Sequence, residues 1–222
     1  MVAELDADRA LALTYVPTSA RLAIGALWRL DVALGAVLAG GREPLISQIK
    51  LTWWRDALEK LDLEKAPAEP VLESIARNVL PAGISGSALS AMEQGWTVLL
   101  SQEPLTASDL ASYSAARGGL LFRYSAAMLA GGLSPEMEQA GEGWALVDLA
   151  RHSNQEDAAA SVGLAGERLA ASAEITWPRA LRPLGMLAAL ARRDVDRGTE
   201  GFEEHGAPRR MMRMLRHRLT GR

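Results

Sequence analysis

The 222-residue chain reads as one all-α domain, residues 1–222. Three observations predict this. Apolar residues recur at spacings of three and four through most of the chain. Cap and breaker signals cut it into helix-sized lengths. Long alternating runs rich in Val, Ile and Thr, the mark of strands, are missing.

The elements follow in order. Leu22, Ala26, Arg29, Leu30, Ala33 and Val37 fall mostly on one face of a first helix, which Thr18 can cap after Pro17. Gly40-Gly41 reads as its end. A second helix is expected from Pro44 to Leu61, with Ile46, Ile49, Trp53 and Ala57 on one face and Lys50 and Arg55 off it. Asp62 to Pro70 is a charged loop with two prolines, followed by a short helix from Val71 to Leu80. After a loop from Pro81, helix resumes over Ser87–Leu100. Thr106 with Asp109 forms a capping-box pattern opening a helix to Leu129, which Gly131-Gly132 stops. Ser134-Pro135-Glu136 starts the next helix, to Asn154. Further helices fit Ala158–Ser172, Pro178–Arg193 and Pro208–Leu219, with Pro183 inside or near the start of one of them and able to kink it.

Composition narrows the function. Aliphatic and aromatic residues make up 49% and charged residues 23%, which argues for a packed core and against disorder. A net charge of −3 carries no nucleic-acid signature. The absence of cysteine excludes disulfides, zinc–thiolate sites and thiol catalysis, and fits a reducing compartment. The acidic start (Glu4, Asp6, Asp8) is unlike a secretory signal. The chain lacks the ~18 consecutive apolar residues of a membrane span. The chain therefore reads as cytoplasmic, peripheral at most to the inner membrane. Residues 207–222 are different: Arg209, Arg210, Arg213, Arg216, Arg218 and Arg222 surround a Met211, Leu215, Leu219 stripe, with no acid after Glu204. Such a basic amphipathic helix suits an anionic membrane surface or a partner protein, or it docks on the domain with its arginines solvated.

Several phrases resemble the squalene/phytoene synthase family. They are Tyr15-Val16-Pro17-Thr18-Ser19-Ala20-Arg21 leading to Asp31, and Ile49-Lys50-Leu51-Thr52-Trp53-Trp54-Arg55-Asp56-Ala57-Leu58, the most specific. Tyr113 with Gly118-Gly119, Trp144 to His152, and Leu181-Arg182-Pro183-Leu184 extend the resemblance over most of the chain. It implies an isoprenoid-synthase-type helical bundle with a central cavity. It also implies an activity, the head-to-head joining of prenyl diphosphates, in which two Asp-x-x-x-Asp motifs on facing helices hold Mg²⁺ against the leaving diphosphate.

Here those motifs are eroded. The first aligns as Asp31 to Gly35, the second as His152 to Glu156. With Asp148 one turn before His152, the metal set shrinks to Asp31, Asp148 and Glu156. Arg117 stands where the resemblance implies a small or apolar residue, and with Lys50, Arg55, Arg123 and Arg151 it could form a metal-free anion site. Two functions follow. One is a non-catalytic member that needs no cofactor, binds an isoprenoid diphosphate or other lipid-like ligand, or helps assemble a membrane respiratory complex. It would be similar to the complex I assembly-factor branch of the family. The other is a working prenyl transferase with an altered Mg²⁺ site carried by Asp31, Tyr113, Asp148 and Glu156.

Blander readings stand beside these. Trp53-Trp54 suits packing, one ring inward and one outward. Asp31 suits a salt bridge to Arg29 or Arg151. Tyr113 suits a core tyrosine as well as a pocket residue. His152 suits an i, i+4 pair with Asp148. His205 and His217 are expected to be solvated, and Gly118-Gly119 to mark close helix contact or room for a chain-like ligand.

Overall fold

A computed structural model describes residues 4–40, 43–101 and 104–222; Gly41, expected to help end the first long helix, lies outside them. The described residues contain helices and no strand. The first element was not anticipated. Asp6 accepts from the backbone N–H groups of Asp8 and Arg9 and so caps α1 (Ala7–Thr14).

Helix α2 (Thr18–Ala39) runs through the middle of the domain, with Ile24, Leu27, Trp28, Leu30, Asp31 and Leu34 all buried. Pro17, not Thr18, occupies the cap position, and Gly40 ends the helix. By length and composition α2 could cross a membrane, but half of it is buried within the domain, as a core helix would be. Leu22, expected on the inner face, is 72% exposed.

Helix α3 (Pro44–Lys60) keeps Ala57 of the expected face inside and turns the rest of that face outward. Its inner face is Ser47, Leu51, Trp54, Ala57 and Leu58, while Ile46, Ile49 and Trp53 are exposed. The helix is apolar on two sides, so periodicity alone could not choose between them.

Short helices α4 (Pro70–Asn78), α5 (Gly86–Ser90) and α6 (Glu93–Val98) follow, the last two replacing one expected helix. Thr106 and Asp109 form the capping box of α7 (Ala107–Ser114). A π-helical turn at Ala115–Gly119 joins it to α8 (Leu120–Ala130). Helix α9 (Pro135–Ala150), capped by Ser134, is buried on most sides and packs against α10 (Gln155–Ala170), α11 (Arg182–Arg197) and the π turn.

The π turn and α9 meet backbone to backbone. A Cβ on Gly118 would lie 2.1 Å from the Gly141 carbonyl oxygen, and one on Gly141 would lie 2.6 Å from that of Gly118. Glycine at both positions is what lets Arg117 approach Asp148.

Pro183 sits in the first turn of α11, where its missing N–H costs nothing, so no kink results. Helix α12 (Pro208–Thr220) docks on α11 through Arg210, Met214 and His217. His217, expected in solvent, is therefore fully buried, edge-on to Trp177. His205, expected to be solvated, is exposed, and its Nδ1 also lies 2.7 Å from an Asp8 carboxylate oxygen.

Candidate functional site in the central cavity

Between α2, α6, the π turn, α9 and the start of α10 lies a cavity of about 530 Å³. Val32, Leu38, Trp96, Leu99 and Leu149 form its apolar wall, and Arg9, Asp31, Tyr113, Arg117 and Asp148 its polar floor. His152, Asn154 and Asp157 stand at the rim.

Arg117 organises the floor. Its Nε donates to Asp31 Oδ1 at 2.8 Å and its Nη2 to Asp31 Oδ2 at 2.9 Å, a fork-on-carboxylate pairing. The same Nη2 lies 2.7 Å from Asp148 Oδ2, and Nη1 donates to the Tyr113 hydroxyl. The guanidinium is 4.3 Å from the Trp96 ring centre and 5.1 Å from that of Trp144, so aromatic faces cover it. Arg9, brought in by α1, adds a 2.8 Å bond to Asp31 Oδ2.

These contacts set the charge states. Burial opposes the charge on Asp148, but Arg117 and Arg9 outweigh it and hold the carboxyl well below the usual carboxylate range. Burial likewise works against the Arg117 charge, and Asp31, Tyr113 and Asp148 raise its pKa well above normal all the same. Burial raises the Tyr113 hydroxyl far enough that it stays protonated.

The residues fit Mg²⁺ poorly. Mg²⁺ needs near-octahedral oxygen ligands about 2.1 Å away. Both Asp31 oxygens already accept from arginines, and Asp148 Oδ2 is held by Arg117. At Gly35, where the first motif would carry its second acid, an added Cβ would lie 2.8 Å from the Trp96 ring. An aspartate there would collide with that ring. The described residues hold one other carboxylate–histidine group close enough for a metal, Asp6, Asp8 and His205. There Asp8 is already bound by His205, the Gly206 N–H and Arg210, whose Nε lies 2.9 Å away. Burial raises the Asp8 carboxyl, yet those three partners bring it down to about 2. This is an ion-pair joint tying α1 to α12.

Asp31, Tyr113, Arg117 and Asp148 thus meet at one place, and five other sequence candidates lie elsewhere, among them Arg123, which is exposed and pairs with Glu138. Lys50 is exposed on the outer side of α3, and Arg55 on the same helix pairs with its neighbour Asp56 at 3.2 Å. Arg151 turns away from Asp31 to Asp194 at 2.6 Å and the Glu203 carbonyl at 2.9 Å. Glu156 is exposed in the first turn of α10, and its neighbour Asp157 lines the cavity instead. Asp31 bonds neither Arg29 nor Arg151; its partners are Arg9 and Arg117. His152 Nδ1 sits 2.8 Å from the Asp148 carbonyl, an exposed i, i+4 contact with backbone, not carboxylate.

Sequence reasoning missed Arg9, Trp96 and Asp157. Asp6 followed by a helix-forming run was a usable cap signal for α1, and hence for Arg9. Nothing local marks Trp96.

Comparison with curated proteins and with solved structures returned no match. The sequence model of the squalene/phytoene synthase family matches residues 2–214.

Proposed function

The chain belongs to the squalene/phytoene synthase family, and from that footing we propose that it is a non-catalytic member, which keeps the cavity for binding and no longer ionises prenyl diphosphates. The observation that carries this reading is Arg117, whose guanidinium spans Asp31 and Asp148. The two carboxylates best placed to hold Mg²⁺ are neutralised by a cation the chain itself supplies. Its cellular role is then binding or assembly, as in the complex I assembly-factor branch, and turnover plays no part in it.

The test is incubation with farnesyl and geranylgeranyl diphosphate, with and without Mg²⁺, following pyrophosphate release. No release above the protein-free control is expected. Metal-dependent release would overturn the proposal in favour of a prenyl transferase with an altered metal site.

The same protein works at an anionic membrane surface. Support comes from the exposed side of α12, where Met211, Met212, Leu215 and Leu219 lie among Arg209, Arg213 and Arg216. Burial, with smaller contributions from the charges of Arg192 and Arg216, lowers the pKa of Arg213. Apolar side chains set among arginines match the acyl boundary beneath anionic headgroups.

A further inference from the structure

We infer that α12, with one arginine from α11, forms a seat for the phosphate monoester headgroup of a membrane lipid. This deepens the membrane-surface reading and rests on it.

Register comes first. Arg210 bonds Asp194 at 2.6 Å, and a Cβ on Gly185 would lie 2.1 Å from His217 Nε2, so α12 runs antiparallel along α11. Arg210, Met214 and His217 face inward. The helical period then sets Arg209, Arg213 and Arg216, spaced four and three apart, in a row along one flank. Arg192 of α11 stands beside that row. After burial, its charge is the next largest influence lowering the pKa of Arg213, and it also acts on His217.

Charge comes next. Arg192 and Arg213 are partly buried, yet the side chains of Arg192, Arg209, Arg213 and Arg216 have no ion pair or hydrogen bond among the described residues. Their neighbours do: Arg193 holds Glu203, and Arg210 holds Asp8 and Asp194. Asp196 is the acid that opposes the charge cluster around Arg213. Arg192, Arg213 and Arg216 set against Asp196 leave two positive charges in surplus. The first turn of α12 contains no acid, although that end of a helix favours one. A phosphate monoester near neutral pH carries about −1.5 to −2 charge and three acceptor oxygens, which matches the surplus. Guanidinium groups pair with such oxygens in a fork. A diester headgroup, with a single charge on its phosphate, leaves part of the surplus uncompensated.

The apolar neighbours make the occupant a lipid. Met212, Leu215 and Leu219, spaced three and four apart, form a second row beside the arginines, and all three are exposed. A headgroup on the arginine row would set its acyl chains beside this one.

The experiment is co-sedimentation of the full chain with phosphatidylcholine vesicles carrying phosphatidic acid or phosphatidylserine, matched in surface charge. Phosphatidic acid should be bound about fivefold more tightly. Arg192→Gln leaves every α12 residue in place and removes no ion pair or hydrogen bond among the described residues. It should abolish that preference, with phosphatidylserine binding and Tm nearly unchanged. Equal affinity for the two lipids would overturn the inference and leave the membrane-surface reading standing. Binding to neither vesicle would overturn both. A preference undiminished in Arg192→Gln would overturn the seat. Glycerol 3-phosphate probes a soluble source, and release of the chain from phosphatidic acid vesicles by an equimolar amount of it would overturn the lipid occupant.

Discussion

Arg117→Ala should unmask a divalent-cation site at the cost of stability. The substitution leaves two inward carboxylates, Asp31 and Asp148, with Arg9 their nearest remaining cation. Breaking one side of a buried ion pair typically costs about 3–5 kcal/mol, because the other side is stranded. For a domain of this size each kcal/mol moves Tm by about 2–4 °C, so the variant should melt roughly 6–20 °C below the wild type.

The vacated place has the right neighbours for a metal. Asp31 Oδ2 and Asp148 Oδ2 lie 2.9 and 2.7 Å from the same Nη2 atom, so they stand within about 5.6 Å of each other. A cation between them would draw its other ligands from cavity water. If Mg²⁺ binds there with a Kd of about 1 mM, 10 mM Mg²⁺ returns about 1.4 kcal/mol, or ~3–6 °C. The assay is differential scanning fluorimetry of both proteins across a Mg²⁺ series. The wild type should not respond. A wild-type shift equal to the variant's would refute the reasoning, since the carboxylates would then be free in the native protein. So would a variant less than about 1 kcal/mol destabilised.

Two further predictions concern α12. His217 is buried, and burial reinforced by Arg213 and Arg192 lowers its pKa to about 4, from an ordinary 6.5. Because the folded pKa is depressed, its contribution is intact above pH ~6.5 and is lost as pH falls toward 4, where the loss reaches about 3 kcal/mol. Denaturant melts at pH 7 and 4.5 should show that loss in the wild type and a much smaller one in His217→Leu; equal losses would dismiss His217 as the cause. On the outer side of the same helix, Met212 and Leu219 are 70% and 79% exposed. Their joint replacement by serine should leave Tm unchanged and cut co-sedimentation with phosphatidylserine vesicles severalfold at low salt. Undiminished sedimentation would remove the membrane surface from the proposal.

The helical class and most helix positions were legible because caps and breakers are local. Ser134 and the Thr106–Asp109 pair stand where their chemistry predicted. What could not be read was the side each helix turns inward when both sides are apolar, as in α3. Inward-facing charge was equally hidden. On α12 the Met211, Leu215, Leu219 stripe reads as the buried side by pattern, yet Arg210, Met214 and His217 are inside. Arg210 can be there because Asp8 and Asp194 neutralise it, at 2.9 and 2.6 Å. Those partners lie 202 and 16 residues away, and no local pattern encodes such a pairing. The site followed the same logic. Asp31, Tyr113, Arg117 and Asp148 were found by motif, but the fact that Arg117 bonds the carboxylates themselves depends on a backbone contact between Gly118 and Gly141.

That contact bears on why an arginine can replace a metal in one respect and not in another. In a fold that points carboxylates into an apolar cavity, some cation must be present or the domain loses stability. A guanidinium meets this need, offering planar donors to Asp31 and a further N–H to Asp148. It cannot do what a metal does for a leaving diphosphate. Four of its five N–H donors are already spent on the two carboxylates and Tyr113, whereas a bound Mg²⁺ keeps water positions that a phosphate oxygen can take over. On the proposed non-catalytic reading, a cation tethered to the π turn preserves the architecture of the cavity while removing the electrophilic pull that would ionise a prenyl diphosphate. The Trp96 ring, packed where a second acid would stand beside Gly35, makes the change hard to reverse by one substitution. On that reading, recovering metal chemistry would require removing Arg117, moving Trp96 and placing acids at positions 35 and 152 together.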